Sequence, residues 1–168
     1  MAIVFMMAVN FGSNAEAARA ADQSLNRSLV LTAGSHRLSI YHHVSENPDS
    51  NLLTVWTDYR RQRIRLTFAE LSEVGHQLYD LLATFHGYTA AACGVEADGD
   101  VAFLDELTTD AHGAVRTGGY NGLVLTEAIC DHLGLDDTYV PFRPGYRWNP
   151  YSGEEPDEGL TPDSLAGL

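Results

Sequence analysis

The sequence predicts an α+β fold, in which a mostly antiparallel sheet of about six strands packs against two or three helices. Short runs of β-forming residues follow one another between residues 29 and 67, which is typical of an antiparallel meander. One long apolar stripe with helical spacing follows them. The chain has 168 residues and is 45% hydrophobic, which is enough for one core of ordinary size. We therefore expect a single domain over residues 1–137 and an extended tail over residues 138–168.

The first third of the chain predicts a strand, a helix and four further strands. An apolar run favours a strand over residues 2–9. Ser13 followed by Glu16 has the spacing of a capping box and predicts a helix over residues 14–25. Turn residues separate the next four runs, which predict strands over residues 29–33, 36–44, 52–58 and 63–67.

The clearest element is a helix over residues 68–84. Thr67 and Glu70 form a second capping box, and apolar residues recur at helical spacing behind them. The opposite side of this helix is polar, so its apolar stripe should lie on the sheet. Beyond it we expect a strand over residues 88–96, a hairpin at Asp98-Gly99 with a strand over residues 101–107, and a helix over residues 123–133.

The charge pattern is unusual because the chain has no lysine. All ten of its basic side chains other than histidine are arginines, and the formal net charge is -13. Coding bias explains a choice of arginine over lysine, but it does not explain why four arginines lie between residues 60 and 65. The net charge weakens attraction to nucleic acid and to anionic lipid, so we expect neither as a partner.

The N-terminus and the cysteines favour an intracellular protein. The apolar start resembles a secretory signal only faintly, because it lacks a basic region before the apolar run. It is also shorter than the roughly 20 residues that cross a bilayer, so no membrane association is expected. Cys93 and Cys130 are too few for a disulfide framework and lie in apolar stretches, which is typical of buried thiols in the cytoplasm or another reducing compartment.

Alternation along the predicted strands places arginines on one face of the sheet. Arg37 and Tyr41 share a face of one strand, and Arg61, Arg63 and Arg65 share a face of another. If these faces belong to one sheet, its open side could bind carboxylates, phosphates or an acidic protein surface. The alternative is an ordinary solvated face whose arginines pair with the protein's own acids.

The predicted tail is a second candidate binding segment. It combines prolines with aromatic and arginine side chains, among them Phe142, Arg143, Tyr146, Arg147 and Trp148. Residues of these types contribute much of the energy at protein interfaces. Packing of the same rings onto the chain's own domain is the alternative. The last 17 residues contain five acids and no base, which favours a solvated end.

A glycine-rich loop is the third candidate. Arg116, Gly118 and Gly119 belong to a segment ending at Gly122, and its amides could bind an anion ahead of a helix. The spacing fits neither the dinucleotide fingerprint nor the P-loop, so an ordinary glycine loop remains an alternative. The seven histidines lack metal-site spacing and no nucleophile signature occurs, so we predict no metal, no cofactor and no catalytic residue.

These observations favour a non-catalytic protein-binding accessory, inhibitory or assembly subunit. Its expected contact residues are those of the arginine-rich sheet face and of the aromatic C-terminal arm. Its expected partner is another protein or a second copy of the chain, in a homo-oligomer. The alternative is a small enzyme, or a domain that binds an anion or a nucleotide through the loop over residues 118–122 and Arg116.

Overall fold

A computed structural model of the chain describes residues 5–25, 29–57, 64–110, 112–135 and 137–155. The class is α+β as predicted, but among these residues the antiparallel sheet has eight strands instead of about six, and there are five helices instead of two or three. In chain order the elements are β1 (Phe5–Asn10), α1 (Ala15–Ser24), β2 (Val30–Ala33), β3 (His36–Ser45), β4 (Leu52–Thr57), α2 (Phe68–Leu82), β5 (Ala90–Val95), α3 (Ala97–Ala102), α4 (Leu104–Thr109), β6 (Val124–Thr126), α5 (Glu127–Leu133), β7 (Val140–Arg143) and β8 (Tyr146–Trp148).

The strand order is β2-β3-β4-β1-β5-β6-β8-β7, which places the first strand of the chain near the middle of the sheet. Strand β1 pairs with β4 on one side, where Met6 lies opposite Trp56. On its other side it pairs with β5, where Met6 lies opposite Gly94. Because this apolar strand lies near the middle of the sheet, each of its residues from Met7 to Asn10 is buried.

Helices α1 and α2 cover the first face of the sheet. Thr67 caps α2 as the sequence predicts, because its side chain accepts a hydrogen bond from the Glu70 amide while the Glu70 carboxylate accepts one from the Thr67 amide. The N-cap of α1 is Asn14, and not the predicted Ser13. The core on this face includes Met7, Val9, Leu38, Ile40, Leu53, Val55, Leu71, Val74 and Leu78.

Helices α3, α4 and α5 cover only part of the second face. Helix α3 packs on β1 and β5 and reaches β4, and α5 packs on β6 and β8. Small strand residues, Ala8, Ala90 and Ala92, let these helices approach the sheet closely. The second face of β2 and β3 carries exposed side chains instead, and that of β4 carries half-buried ones.

The largest departure from the prediction lies between residues 97 and 109. A hairpin and a strand are predicted there, but Asp98 and Gly99 lie inside α3, and α4 follows directly. Glu96 takes a left-handed conformation with φ of 51°, which turns the chain out of β5 and into α3. Ala97 and Val101, one helical turn apart, then bury against the sheet, and this burial outweighs the local turn preference.

Two further predicted elements differ in type. Residues 64–67 form no strand and lead directly into α2, and residue 63 lies outside the described part of the chain. The helix predicted over residues 123–133 begins as β6, because Val124 and Leu125 are buried between β5 and β8. Helix α5 occupies the rest and ends at Gly134, which has φ of 68°.

The segment predicted as an extended tail begins with a hairpin of the main sheet. Strand β8 pairs with β6, and β7 pairs with β8 as the last strand. Pro141 is tolerated there because β7 is an edge strand, and Gly145 turns the chain with φ of 87°. Residues 149–155 then reach α2, where Tyr151 is 6% exposed and packs against Gly75. Residues 156–168 lie outside the described residues.

Helix α2 closes the sheet edge formed by β2. The Gln77 side chain accepts a hydrogen bond from the Thr32 amide at 2.9 Å and donates one to the Thr32 carbonyl at 2.6 Å. Close by, the Glu73 carboxylate accepts a hydrogen bond from the Gly34 amide at 2.8 Å. A side-chain amide thus replaces a neighbouring strand, which removes a place where another chain could add to the sheet.

We expect Gln77→Ala to lower the free energy of unfolding by about 1–2 kcal/mol, because two backbone groups of an edge strand lose their partner. Chemical denaturation of the purified protein measures this loss. Asp80→Ala is the control, since Asp80 is exposed on the same helix. Equal stabilities of the two variants would contradict a structural role for the Gln77 contact.

Candidate functional site

The uncovered part of the second sheet face is centred on an aromatic pair. Tyr41 of β3 and Trp56 of β4 lie opposite each other in register, and their rings stack with centroids 6.3 Å apart and planes 24° apart. Tyr41 is 41% exposed, one of three large hydrophobic side chains of the described residues that are strongly exposed. Stacked, exposed aromatic rings are typical anchors of protein interfaces.

Basic and small polar side chains flank this pair on the same face. Arg37 and His43 lie on the same face of β3 as Tyr41, because the odd-numbered residues of this strand point away from the core. Ser39 lies between Arg37 and Tyr41, and Thr54 lies opposite His43. None of the described residues of β2, β3 and β4 on this face is acidic, although the chain carries 23 acids.

The structure brings only part of the predicted arginine row to this face. Arg37 and Tyr41 lie where alternation places them. Arg65 is exposed but precedes α2 outside any strand, so it does not continue a strand row. Arg61 and Arg63 lie outside the described residues. Trp56 was not predicted as a site residue, although its place in the alternating run of β4 is the signal that could have identified it.

The aromatic residues of the β7–β8 hairpin pack on the domain itself. Tyr79 of α2 contacts Phe142 and Trp148 in edge-to-face geometry, with centroids 6.3 and 5.1 Å away. The Tyr146 ring stacks on Tyr88 at 4.1 Å, and its hydroxyl donates a hydrogen bond to the Tyr88 carbonyl. Of the two alternatives for these rings, the described contacts correspond to packing onto the same chain.

The hairpin arginines also make contacts within the chain. Arg143 donates hydrogen bonds to the carbonyls of Ala83 and Phe85, at the end of α2, and contacts His86. Its guanidinium carbon lies 5.6 Å from the centre of the Tyr146 ring. Arg147 pairs with Asp131 of α5 at 2.9 Å. These two arginines attach the hairpin to the helices on either face of the sheet.

The glycine-rich loop is organised around an internal carboxylate. Asp110 is 5% exposed and accepts hydrogen bonds from the amides of Val115 and Arg116, at 2.9 and 3.1 Å. The Arg116 side chain pairs with the same carboxylate at 3.3 Å. The amides of residues 117, 118 and 119 donate to carbonyls of the loop itself, so Gly118 and Gly119 present no unused amide. Asp110 therefore binds the Arg116 side chain and the two amides just before the predicted loop.

Helices α3 and α4 form an acidic surface beside the aromatic pair's face. Phe103, between the two helices, is 64% exposed, the highest value among the large hydrophobic residues that the structure describes. Four acids lie on the two helices, namely Asp98, Asp100, Asp105 and Glu106. Burial, and the neighbouring carboxylate of Asp98, raise the pKa of Asp100. This surface was not predicted from the sequence, because the segment has the local pattern of a hairpin and a strand.

Comparison of the chain with models of known protein families, with curated proteins and with solved structures finds no match. Across the ranges that the structure describes, no helix combines the length and the apolar character needed to cross a membrane.

Proposed function

We propose that the chain is a non-catalytic protein-binding subunit whose contact surface is the second face of β2, β3 and β4. The observation that carries the proposal is the stacked pair of exposed Tyr41 and half-buried Trp56, on a part of the sheet that carries no described acid. The aromatic rings supply apolar area that a partner can bury. Arg37, on the same face of β3, supplies oriented hydrogen bonds to the partner's carboxylates.

The edges of the sheet give indirect support. Gln77 occupies the backbone groups of Thr32 at the β2 edge, and Pro141 removes a donor from the β7 edge. A partner that added a strand at either place would therefore gain few hydrogen bonds. A partner that packs on the face meets no such obstacle.

The alternative, an anion or nucleotide site at the glycine loop, has less support. A phosphate bound through Arg116 would compete with the Asp110 carboxylate, which the Arg116 side chain and two neighbouring amides already contact. Removing a buried carboxylate from its donors costs several hydrogen bonds at once. For this reason we place the function at the sheet face.

Photocrosslinking in a native extract tests the proposal. A photoreactive amino acid at position 41 should give discrete adducts with protein, and the same amino acid at position 140 should give none. Val140 is the matched control because it is 42% exposed, against 41% for Tyr41. It lies in β7, the edge strand at the far end of the sheet from β3.

Substitution provides the quantitative form of the same test. Tyr41→Glu should weaken binding of the crosslinked partner about tenfold or more, because it places a carboxylate where an aromatic anchor would be buried. Val140→Glu should leave binding unchanged. Circular dichroism of both variants verifies that the fold is kept. Equal adduct formation at both positions, or equal binding by both variants, would refute the proposed face.

A further inference from the structure

Two surfaces of opposite character lie side by side on the second face of the sheet. One is the bare part of β2, β3 and β4, with the Tyr41–Trp56 pair, Arg37 and His43. The other is the helix pair α3–α4, with exposed Phe103 and four acids. Each surface has an exposed aromatic side chain, and the formal charges near it are opposite, with Arg37 on the bare strands and four acids on the helices.

The shape of the second face is as informative as its charge. Helix α3 lies on β1 and β5 and reaches β4, so the helix layer ends beside the bare strands. A helix with its side chains is about 10 Å thick, so the face has a raised half and a recessed half. A two-fold axis that lies in the plane of the interface, along the step between the two halves, brings the raised half of each copy onto the recessed half of the other.

We infer that a second copy of this chain occupies the bare sheet face, with α3–α4 of each copy seated on β2, β3 and β4 of the other. Phe103 of one copy then contacts the Tyr41–Trp56 pair of its partner, and Arg37 faces the acids of α4. This inference rests on the proposed function and names the partner of the same face.

Charge complementarity favours a second copy over other occupants. An acidic partner would match the bare strands and be repelled by α3–α4, and a basic partner would match α3–α4 and be repelled by Arg37. Nucleic acid would place phosphates beside Asp98, Asp100, Asp105 and Glu106. The chain itself presents both complementary surfaces, and an isologous contact uses each of them twice.

Sedimentation equilibrium of the purified chain, over a wide range of concentrations, tests this inference. The wild-type chain should associate to a dimer. Phe103→Ser should weaken the association about tenfold to a hundredfold, because a central aromatic contact is lost in both halves of the interface. Val140→Ser is the matched control, since it also removes an exposed apolar side chain, and it should leave the dimer intact.

A charge exchange tests the reciprocal geometry. R37E alone and the double variant D105R/E106R alone should each be mainly monomeric, because like charges then face each other in both halves of the interface. An equimolar mixture of the two should form a heterodimer, since both halves again pair opposite charges. A monomeric wild-type chain, or a mixture that stays monomeric, would overturn the inference.

The outcomes separate this inference from the proposed function. A monomeric chain that still crosslinks through position 41 to a different protein overturns the second copy as occupant and retains the binding face. A chain that neither dimerises nor crosslinks at position 41 refutes both. A dimer that R37E and Phe103→Ser leave unaltered refutes the assigned surface.

Discussion

Gly122→Ala is expected to lower the free energy of unfolding by about 2–5 kcal/mol, because a strained backbone and an overpacked core each contribute. Gly122 has φ of 77°, a left-handed conformation that a residue with a Cβ adopts at a cost. The added Cβ would also overlap the Tyr79 hydroxyl and lie 2.8 Å from its Cζ. Tyr79 cannot move away easily, because it is 3% exposed and hydrogen-bonded on both sides.

Gly134→Ala separates the two causes. Gly134 has φ of 68°, close to that of Gly122, but an added Cβ would meet nothing within 4 Å. This substitution therefore carries only the backbone cost, about 1–2 kcal/mol. Thermal and chemical denaturation of both variants measure the difference. Equal losses would mean that contact with Tyr79 contributes nothing to the requirement for glycine at position 122.

Tyr79→Phe should cost about 2–4 kcal/mol, because one hydroxyl satisfies two buried backbone groups. It donates a hydrogen bond to the Gly122 carbonyl at 2.7 Å and accepts one from the Cys93 amide at 3.0 Å. Without it, the carbonyl and the amide stay buried and unpaired, at roughly 1–3 kcal/mol each. The substitution also removes a hydrogen-bonded link from α2 to β5 and to the segment that leads into β6.

Tyr88→Phe and Tyr139→Phe are the matched controls for this prediction. Both tyrosines are 2% exposed, and their hydroxyls have no hydrogen-bond partner among the described residues. Removing an unpaired buried hydroxyl should be neutral or slightly stabilising. Denaturation curves of the three variants decide the matter. A loss of similar size in all three would assign the effect of Tyr79→Phe to the space left by a buried hydroxyl and not to its hydrogen bonds.

The sequence predicts best those elements whose local signal and tertiary role agree. Helix α2 has both a capping box and an apolar stripe, and its start at Phe68 is as expected. In β3, strict alternation is sufficient by itself to place Arg37 and Tyr41 on one face. The aromatic pair was only half predicted, because the partner of Tyr41 depends on the register between β3 and β4, which a single strand does not encode.

The elements that escaped prediction are short and depend on distant contacts. Asp98-Gly99 is a strong local turn signal, yet the burial of Ala97 and Val101 on the sheet makes this segment helical. The β7–β8 hairpin contains Pro141 and has no clear alternation, and its strand character comes from pairing with β6. Likewise, nothing local indicates that Asp110 would fill the glycine loop, because Asp110 lies five residues before the first amide it binds.

The central position of β1 has a consequence for how the chain is made. During synthesis, β1 obtains its earlier neighbour only when residues 52–56 follow, and its later neighbour only with residues 90–95. Both pairings span long stretches of sequence, and such non-local contacts slow folding. Until β4 and β5 have been made, the apolar strand β1 lacks its neighbours and is exposed to association with other nascent chains. The centre of the sheet can therefore be completed only after more than half of the sequence up to residue 168 has been made.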